Sequence, residues 1–168
     1  MVRPYDFPHH REESFEMTSS LPNIIILTWH DTGRHLGCYG VDTVQTPHVD
    51  RFASVSARFT QAWACAPVCG PSRSAMMSGR YPTSNGMYGQ PHEGWNYHPD
   101  EQHLATRLRR RGYTTAVCGF QHETQRGREA ELGFDRTLAV SAEPGRGFPP
   151  VPRAAQVVDS ALEWIDGL

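Results

Sequence analysis

The sequence predicts an α/β fold built on a mostly parallel sheet. Three observations carry that expectation: a β-branched run at Ile24–Leu27, a second strand-like run over 113–118, and helical stretches set between and after them. Helices alternating with strands are the pattern of a parallel sheet with helices on its faces.

Taken in order, residues 1–20 contain Asp6, Glu12, Glu13 and Glu16 and lack an apolar stretch. They are expected to be a disordered extension rather than a secretory signal, with Met17 an alternative start and the cytoplasm the expected location. Residues 21–168 are expected to form the structured part. Pro22 to Trp29 holds Ile24, Ile25, Ile26 and Leu27 in succession, apolar on both faces, as a central strand covered on both sides would be. The polar loop His30 to Arg34 follows at its carboxyl end, where open α/β sheets bind ligands.

Thr46-Pro47 reads as an N-cap and first helical residue, with Val49, Phe52, Ala53 and Phe59 on one face. Thr60 to Ala66 is expected to be extended and to break at Pro67. Gly70-Pro71-Ser72 turns the chain into a helix through Ser78 that Gly79 ends. Residues 85–99 form a long loop. Asp100 is expected to cap a helix with Leu104 and Leu108 inward, ended by Gly112. Residues 113–118 then form a strand, with Gly119 to His122 at its carboxyl end. Ser141 to Pro152 is a Pro/Gly-rich linker. Ala154, Val157, Val158, Ala161, Leu162 and Ile165 keep the spacing of one buried helical stripe.

The chain has 168 residues, 16 basic and 18 acidic, for a net charge of −2. That balance excludes the basic footprint of a nucleic-acid binder. Arg107, Arg109, Arg110 and Arg111 form one basic cluster, placed where cations suit a helix C-terminus. No stretch is long and apolar enough to cross a membrane. Four cysteines, Cys38, Cys65, Cys69 and Cys118, show neither a disulfide framework nor a zinc pattern, although Cys65 and Cys69 would share a face if both were helical. Among nine histidines, His98 and His103 read as solvated, and Trp29, Trp63 and Trp95 as packing residues.

The chemistry concentrates at Cys69-Gly70-Pro71-Ser72-Arg73. A cysteine at a helix start meets backbone N–H groups and the positive end of the dipole, which favour an anion. Arg73, about one turn on, can present its fork to a tetrahedral oxyanion. By itself this fits a thiolate phosphatase, a redox cysteine or a buried thiol at an ordinary loop-to-helix junction equally well.

The wider pattern decides among these. Cys69-Gly70-Pro71-Ser72-Arg73 followed by Gly79-Arg80 resembles the signature of the type I sulfatases. The resemblance continues through Pro22-Asn23 with Asp31, Leu36 to Gly40, Thr46 to Arg51, Arg58 to Ala62, Arg111 to Thr115, and Gly119 with His122. It spans about Pro22 to Asp135. It implies an alkaline-phosphatase-like three-layer sandwich, incomplete at the C-terminus, because the family's further metal ligands, histidines and lysines lie later in longer chains. It also implies that Cys69 is converted by a formylglycine-generating enzyme, with Arg73 and His122 as catalytic partners. A divalent cation, calcium in most of the family, would be held by Asp31, His30 and residue 69. The expected substrate is a sulfated small molecule or carbohydrate.

The loop Asn85 to His92 is most like the sulfamidase-type branch, and the resemblance makes His92 and Tyr88 substrate contacts. Two positions depart from the pattern. His30 stands where the family usually has a second aspartate, and calcium prefers oxygen to imidazole. Phe120 stands where a lysine usually reaches the sulfate. These departures, with the length, lead to the expectation that the chain alone is inactive. A phosphodiesterase or phosphonate hydrolase of the same superfamily and a non-catalytic remnant with an unmodified Cys69 are the alternatives.

Overall fold

The computed structural model describes residues 21–138 and 154–168. The expected N-terminal extension and the Pro/Gly-rich linker lie outside the described residues. The chain divides into two compact units, Met1–Arg34 and His35–Leu168.

In the first unit the strand expected over Pro22–Trp29 does not form. Ile25 and Leu27 are 74% and 70% exposed, Ile24 and Ile26 51% and 47%. A strand exists only through its ladder, and a run apolar on both faces is held central only when strands flank it and layers cover it. Within the described residues this run joins no strand ladder. Asp31 follows at φ +52°, a left-handed conformation that aspartate tolerates better than most residues.

In the second unit, helix α1 spans Pro47–Ser54 with proline in its first turn, as expected. Thr46 occupies the N-cap position but makes no side-chain cap bond. Its hydroxyl is engaged elsewhere: it accepts the Gly37 N–H at 2.9 Å and donates to Asp50 Oδ1 at 2.9 Å. The expected apolar face is only partly covered, with Val49 and Ala53 half-buried and Phe52 and Phe59 exposed. The extended segment expected over Thr60 to Ala66 has no ladder, and Trp63, expected to pack, is 86% exposed.

Helix α2 spans Cys69–Ser78, with Val68 as N-cap and Gly79 at φ +71° closing it. Cys65 therefore lies outside the helix and shares no helical face with Cys69. The buried side of α2 is small and polar. Ser74 and Ser78, one turn apart, accept hydrogen bonds from Asn85 Nδ2 at 3.1 and 3.0 Å. Asn85 ends helix α3 (Pro82–Asn85), and its Oδ1 accepts the N–H of Met87, which is fully buried.

Helix α4 spans Leu104–Arg109 and is capped by His103, not Asp100: His103 Nδ1 accepts the Ala105 N–H at 3.1 Å. Arg107 and Arg109 lie in its last turn, as the dipole favours. Strand β1 (Ala116–Cys118) pairs in parallel with β2 (Arg136–Leu138), Val117 opposite Thr137. Parallel neighbours need a crossover. Here it is the loop 119–135 with a 3-10 turn at Glu129–Leu132 rather than an α-helix. Asp135 fixes the start of the pair, its Oδ2 accepting from the Thr115 N–H (2.8 Å) and hydroxyl (3.0 Å). Helix α5 (Ala154–Asp166) lays Val157 over Gly119 and leaves Val158 and Leu162 of its expected stripe exposed.

Candidate functional site

In the second unit, three segments meet at Cys69. The first is the start of α2, where Cys69 is the first helical residue. The second is the loop after β1, which brings His122 Nδ1 to 3.0 Å from Cys69 Sγ. The third is Gly89-Gln90, whose side-chain Nε2 donates to Cys69 Sγ at 2.7 Å. Gly70 is what lets them close up. A Cβ there would stand 2.9 Å from Gln90 Oε1, 3.0 Å from the His122 carbonyl oxygen and 3.3 Å from that of Gly89. Any larger residue would push the three segments apart.

His122 is held in an uncommon backbone conformation, φ +152°. Such geometry persists only when its surroundings over-determine it. Gln121 does this: its buried Oε1 accepts the N–H groups of His122 (2.9 Å), Glu123 (2.5 Å) and Thr124 (2.9 Å), while its Nε2 donates to the Thr124 carbonyl. Phe120 stacks edge-on against the imidazole, with ring centroids 4.1 Å apart. The position expected to carry a lysine thus supplies an apolar contact to His122.

Behind this loop lies a buried polar cluster. Glu123 Oε1 accepts the Tyr97 hydroxyl at 2.5 Å and faces His103 Nε2 at 3.3 Å. Because His103 Nδ1 accepts from Ala105, its ring proton sits on Nε2, toward the carboxylate. Burial, and then the Glu123 charge, pushes the Tyr97 phenol well above its ordinary range. His103 is thus a buried structural residue rather than a solvated one.

The other expected site residues fall as follows. Arg73 lies in α2, half-buried, one turn beyond Cys69. Tyr88 and His92 are exposed on the loop that carries Gln90. Tyr88 donates to the Thr83 carbonyl at 3.1 Å, and its ring lies 5.3 Å from that of Trp95. Trp95 is 43% exposed, so one side of that aromatic pair faces solvent. In the first unit, His30 Nδ1 is 2.9 Å from Asp31 Oδ2, and both side chains are accessible. A cleft of about 890 Å³ lined by Cys38, Asp42, Thr46, Asp50 and Arg58 holds none of these residues.

The sulfatase family model matches residues 22–151. The chain belongs to the sulfatase family. It is 37% identical to mouse steryl-sulfatase over 157 residues, covering 79% of this chain and 25% of that protein. It is 35% identical to human arylsulfatase D, covering 80% and 26%. With rat N-acetylgalactosamine-6-sulfatase it shares 35% identity over 127 residues, 68% of this chain and 24% of the relative. The chain thus spans about a quarter of the length of these curated relatives.

Of the residues the sequence singles out in this sulfatase-family chain, Cys69 and His122 are brought together and Arg73 lies one turn on in α2; Gln90 and Gln121, which hold Cys69 and the His122 loop, are not among them. Gln90-Pro91-His92-Glu93 carries a usable signal, a polar cap followed by proline and an acid three residues on. It forms a 3-10 turn at Pro91–Glu93, with the Gln90 N–H donating to Glu93 Oε2 at 3.1 Å. Gln121 carries no comparable signal.

Proposed function

We propose that this chain contributes the nucleophile-bearing part of a sulfuric ester hydrolase acting on a sulfated carbohydrate or aryl sulfate. The observation that carries the reading is the contact of Cys69 Sγ with His122 Nδ1, 3.0 Å, at the first residue of α2. Conversion of Cys69 to formylglycine by a formylglycine-generating enzyme would give a hydrated aldehyde at that place. One hydroxyl attacks the sulfur, the ester S–O bond breaks, and the departing alcohol oxygen takes up the proton that the attacking hydroxyl gives up. His122 Nδ1 takes the proton of the second hydroxyl, and the aldehyde reforms as sulfate leaves. Arg73, one turn on, is the cation on α2 suited to the sulfate oxygens, together with the N-terminal dipole of the helix.

On the substrate side, Tyr88 and His92 lie exposed on the loop that carries Gln90, and the tilted Tyr88–Trp95 pair offers a ring-sized apolar surface. That surface suits the face of a sugar or an aryl group. A sulfamate substrate rests on the resemblance of the 85–92 loop alone. The three relatives named above are sulfatases by name, which favours an ester. Asp31 and His30 bring a carboxylate and an imidazole, well short of the six to eight oxygens that calcium takes. Those residues alone do not fit a calcium site, and the steps above use only side chains of this chain. The fold that goes with this reading is a three-layer alkaline-phosphatase-like sandwich, of which residues 21–168 form one part, inactive by itself.

One observation favours a second reading, a remnant with an unmodified thiol: Phe120 places an apolar ring on His122 where a cation would serve catalysis. Peptide mass spectrometry across Cys69, after co-expression with a formylglycine-generating enzyme, separates the two. Loss of the thiol with gain of an aldehyde mass is the expected result. A cysteine left intact would transfer the weight to the remnant.

A further inference from the structure

We infer that Gln90 is a built-in hydrogen-bond donor that orients the reacting side chain at position 69, a role resting on the hydrolase reading above. Three observations carry it. Gln90 Nε2 is 2.7 Å from Cys69 Sγ, and the side chain is half-buried. Its backbone is clamped on both sides, with Gln90 N–H donating to Glu93 Oε2 at 3.1 Å and Glu93 N–H donating to the Gln90 carbonyl at 3.0 Å. The absence of a side chain at Gly70 leaves room for Gln90 Oε1, so the amide lies against the start of α2.

This geometry fixes the direction of one hydrogen bond. An amide nitrogen only donates, so Cys69 Sγ accepts from Gln90, while in its contact with His122 Nδ1 the donor is whichever partner carries the proton. With a hydrated aldehyde at position 69, the same arrangement offers Gln90 N–H to one oxygen and leaves the other facing His122. Gln90 is a positioning residue: it holds one oxygen so that the other stands at the imidazole. The donor is neutral, so it adds an oriented hydrogen bond without the charge that Phe120 also fails to supply.

The test uses the unconverted 168-residue chain and iodoacetamide at one neutral pH, with alkylation of each cysteine followed by peptide mass spectrometry. Cys65, exposed, is the internal reference. Gln90→Ala, which takes a donor from the sulfur, is expected to slow Cys69 alkylation about threefold, Gln90→Glu to slow it further, and Gln90→Lys to accelerate it, with Cys65 unchanged in all. A purely structural role would not order the rates by charge. Gln90→Glu keeps the shape of glutamine and serves where Gln90→Ala loses its helical circular dichroism. Equal Cys69 rates in the Glu and Lys variants, with spectra retained, would overturn the proposal. Failure of Cys69 conversion with the charge ordering intact would sink the hydrolase reading and leave Gln90 as the thiol's donor.

Discussion

Tyr97 and Glu123 share a 2.5 Å hydrogen bond in the interior, one residue beyond His122. The bond ties the 85–99 loop to the strand-end loop that presents the imidazole. Tyr97→Phe leaves the Glu123 carboxylate one donor short in a buried setting and is expected to cost about 1–3 kcal/mol. Glu123→Gln keeps an acceptor for the phenol and should cost less. Urea unfolding midpoints of the two variants check the order, and a Phe variant as stable as the parent would contradict it.

The same pair predicts behaviour in alkali. The folded-state phenol ionises far above its unfolded value near pH ~10. Its stabilising contribution is therefore complete below that pH and declines as the pH climbs toward the folded-state value. Alkaline difference spectra of the chain, which has six tyrosines, should show one that ionises only with unfolding.

Asn85 is fully buried and bonds Ser74, Ser78 and the Met87 N–H, joining α2 to α3 beneath the Cys69 helix. Asn85→Ala removes donor and acceptor together and strands the Met87 N–H. The expected loss is about 2–4 kcal/mol, at the upper end for buried polar deletions. A fall in melting temperature should be accompanied by faster alkylation of Cys118 and Cys38, as the unit opens as a whole. A variant that melts with the parent would show the network to be dispensable.

Acid acts through Asp135. Hydrogen bonding from the Thr115 backbone, reinforced by the Thr115 hydroxyl and the Arg109 guanidinium at 2.7 Å, holds its carboxyl below the usual carboxylate range. The group thus stabilises the fold above the unfolded value of ~3.9, and that contribution is lost as pH falls through the folded-state value. Asp135→Asn should flatten the acid limb of the stability profile and expose β1 and β2 amides to hydrogen exchange. An acid limb identical to that of the parent would assign the acid sensitivity to another carboxyl.

What the sequence made legible follows the range of the interactions. The start of α1 at Thr46-Pro47 and the end of α2 at Gly79 are written locally and appear where expected, whereas Gly70-Pro71-Ser72, expected as a turn, is already helical and α1 ends at Ser54, short of Phe59. Cys69 and His122, far apart in sequence, were matched through an ordered series of motifs, and they meet at 3.0 Å. Gln90 and His103 were not legible as partners. A neutral amide has no charge signature, and a histidine in a polar stretch reads as solvated until Glu123 is seen across from it. The burial of Phe52 also failed, because helical spacing says which face is apolar and not whether anything covers it; Phe59 and Trp63, likewise exposed, lie beyond the end of α1.

The segment Ile24–Leu27 carries the last prediction. Its exposure alternates, Ile25 and Leu27 at 74% and 70% against 51% and 47% for Ile24 and Ile26, as side chains do along an extended backbone. An apolar, unladdered stretch of this kind offers both hydrogen-bonding edges and oily faces to another copy. The chain is therefore expected to self-associate with rising concentration and to bind a dye that reports exposed apolar surface. Lysine at positions 25 and 27 puts charges on the more exposed face and should weaken both signals several-fold, while leaving Cys69 alkylation unchanged. Sedimentation velocity over a range of concentrations tests this directly. A size distribution unaffected by the double substitution would move the association to the exposed aromatic side chains Phe52, Phe59 and Trp63, and the same assay with Trp63→Lys would then show the reduction instead.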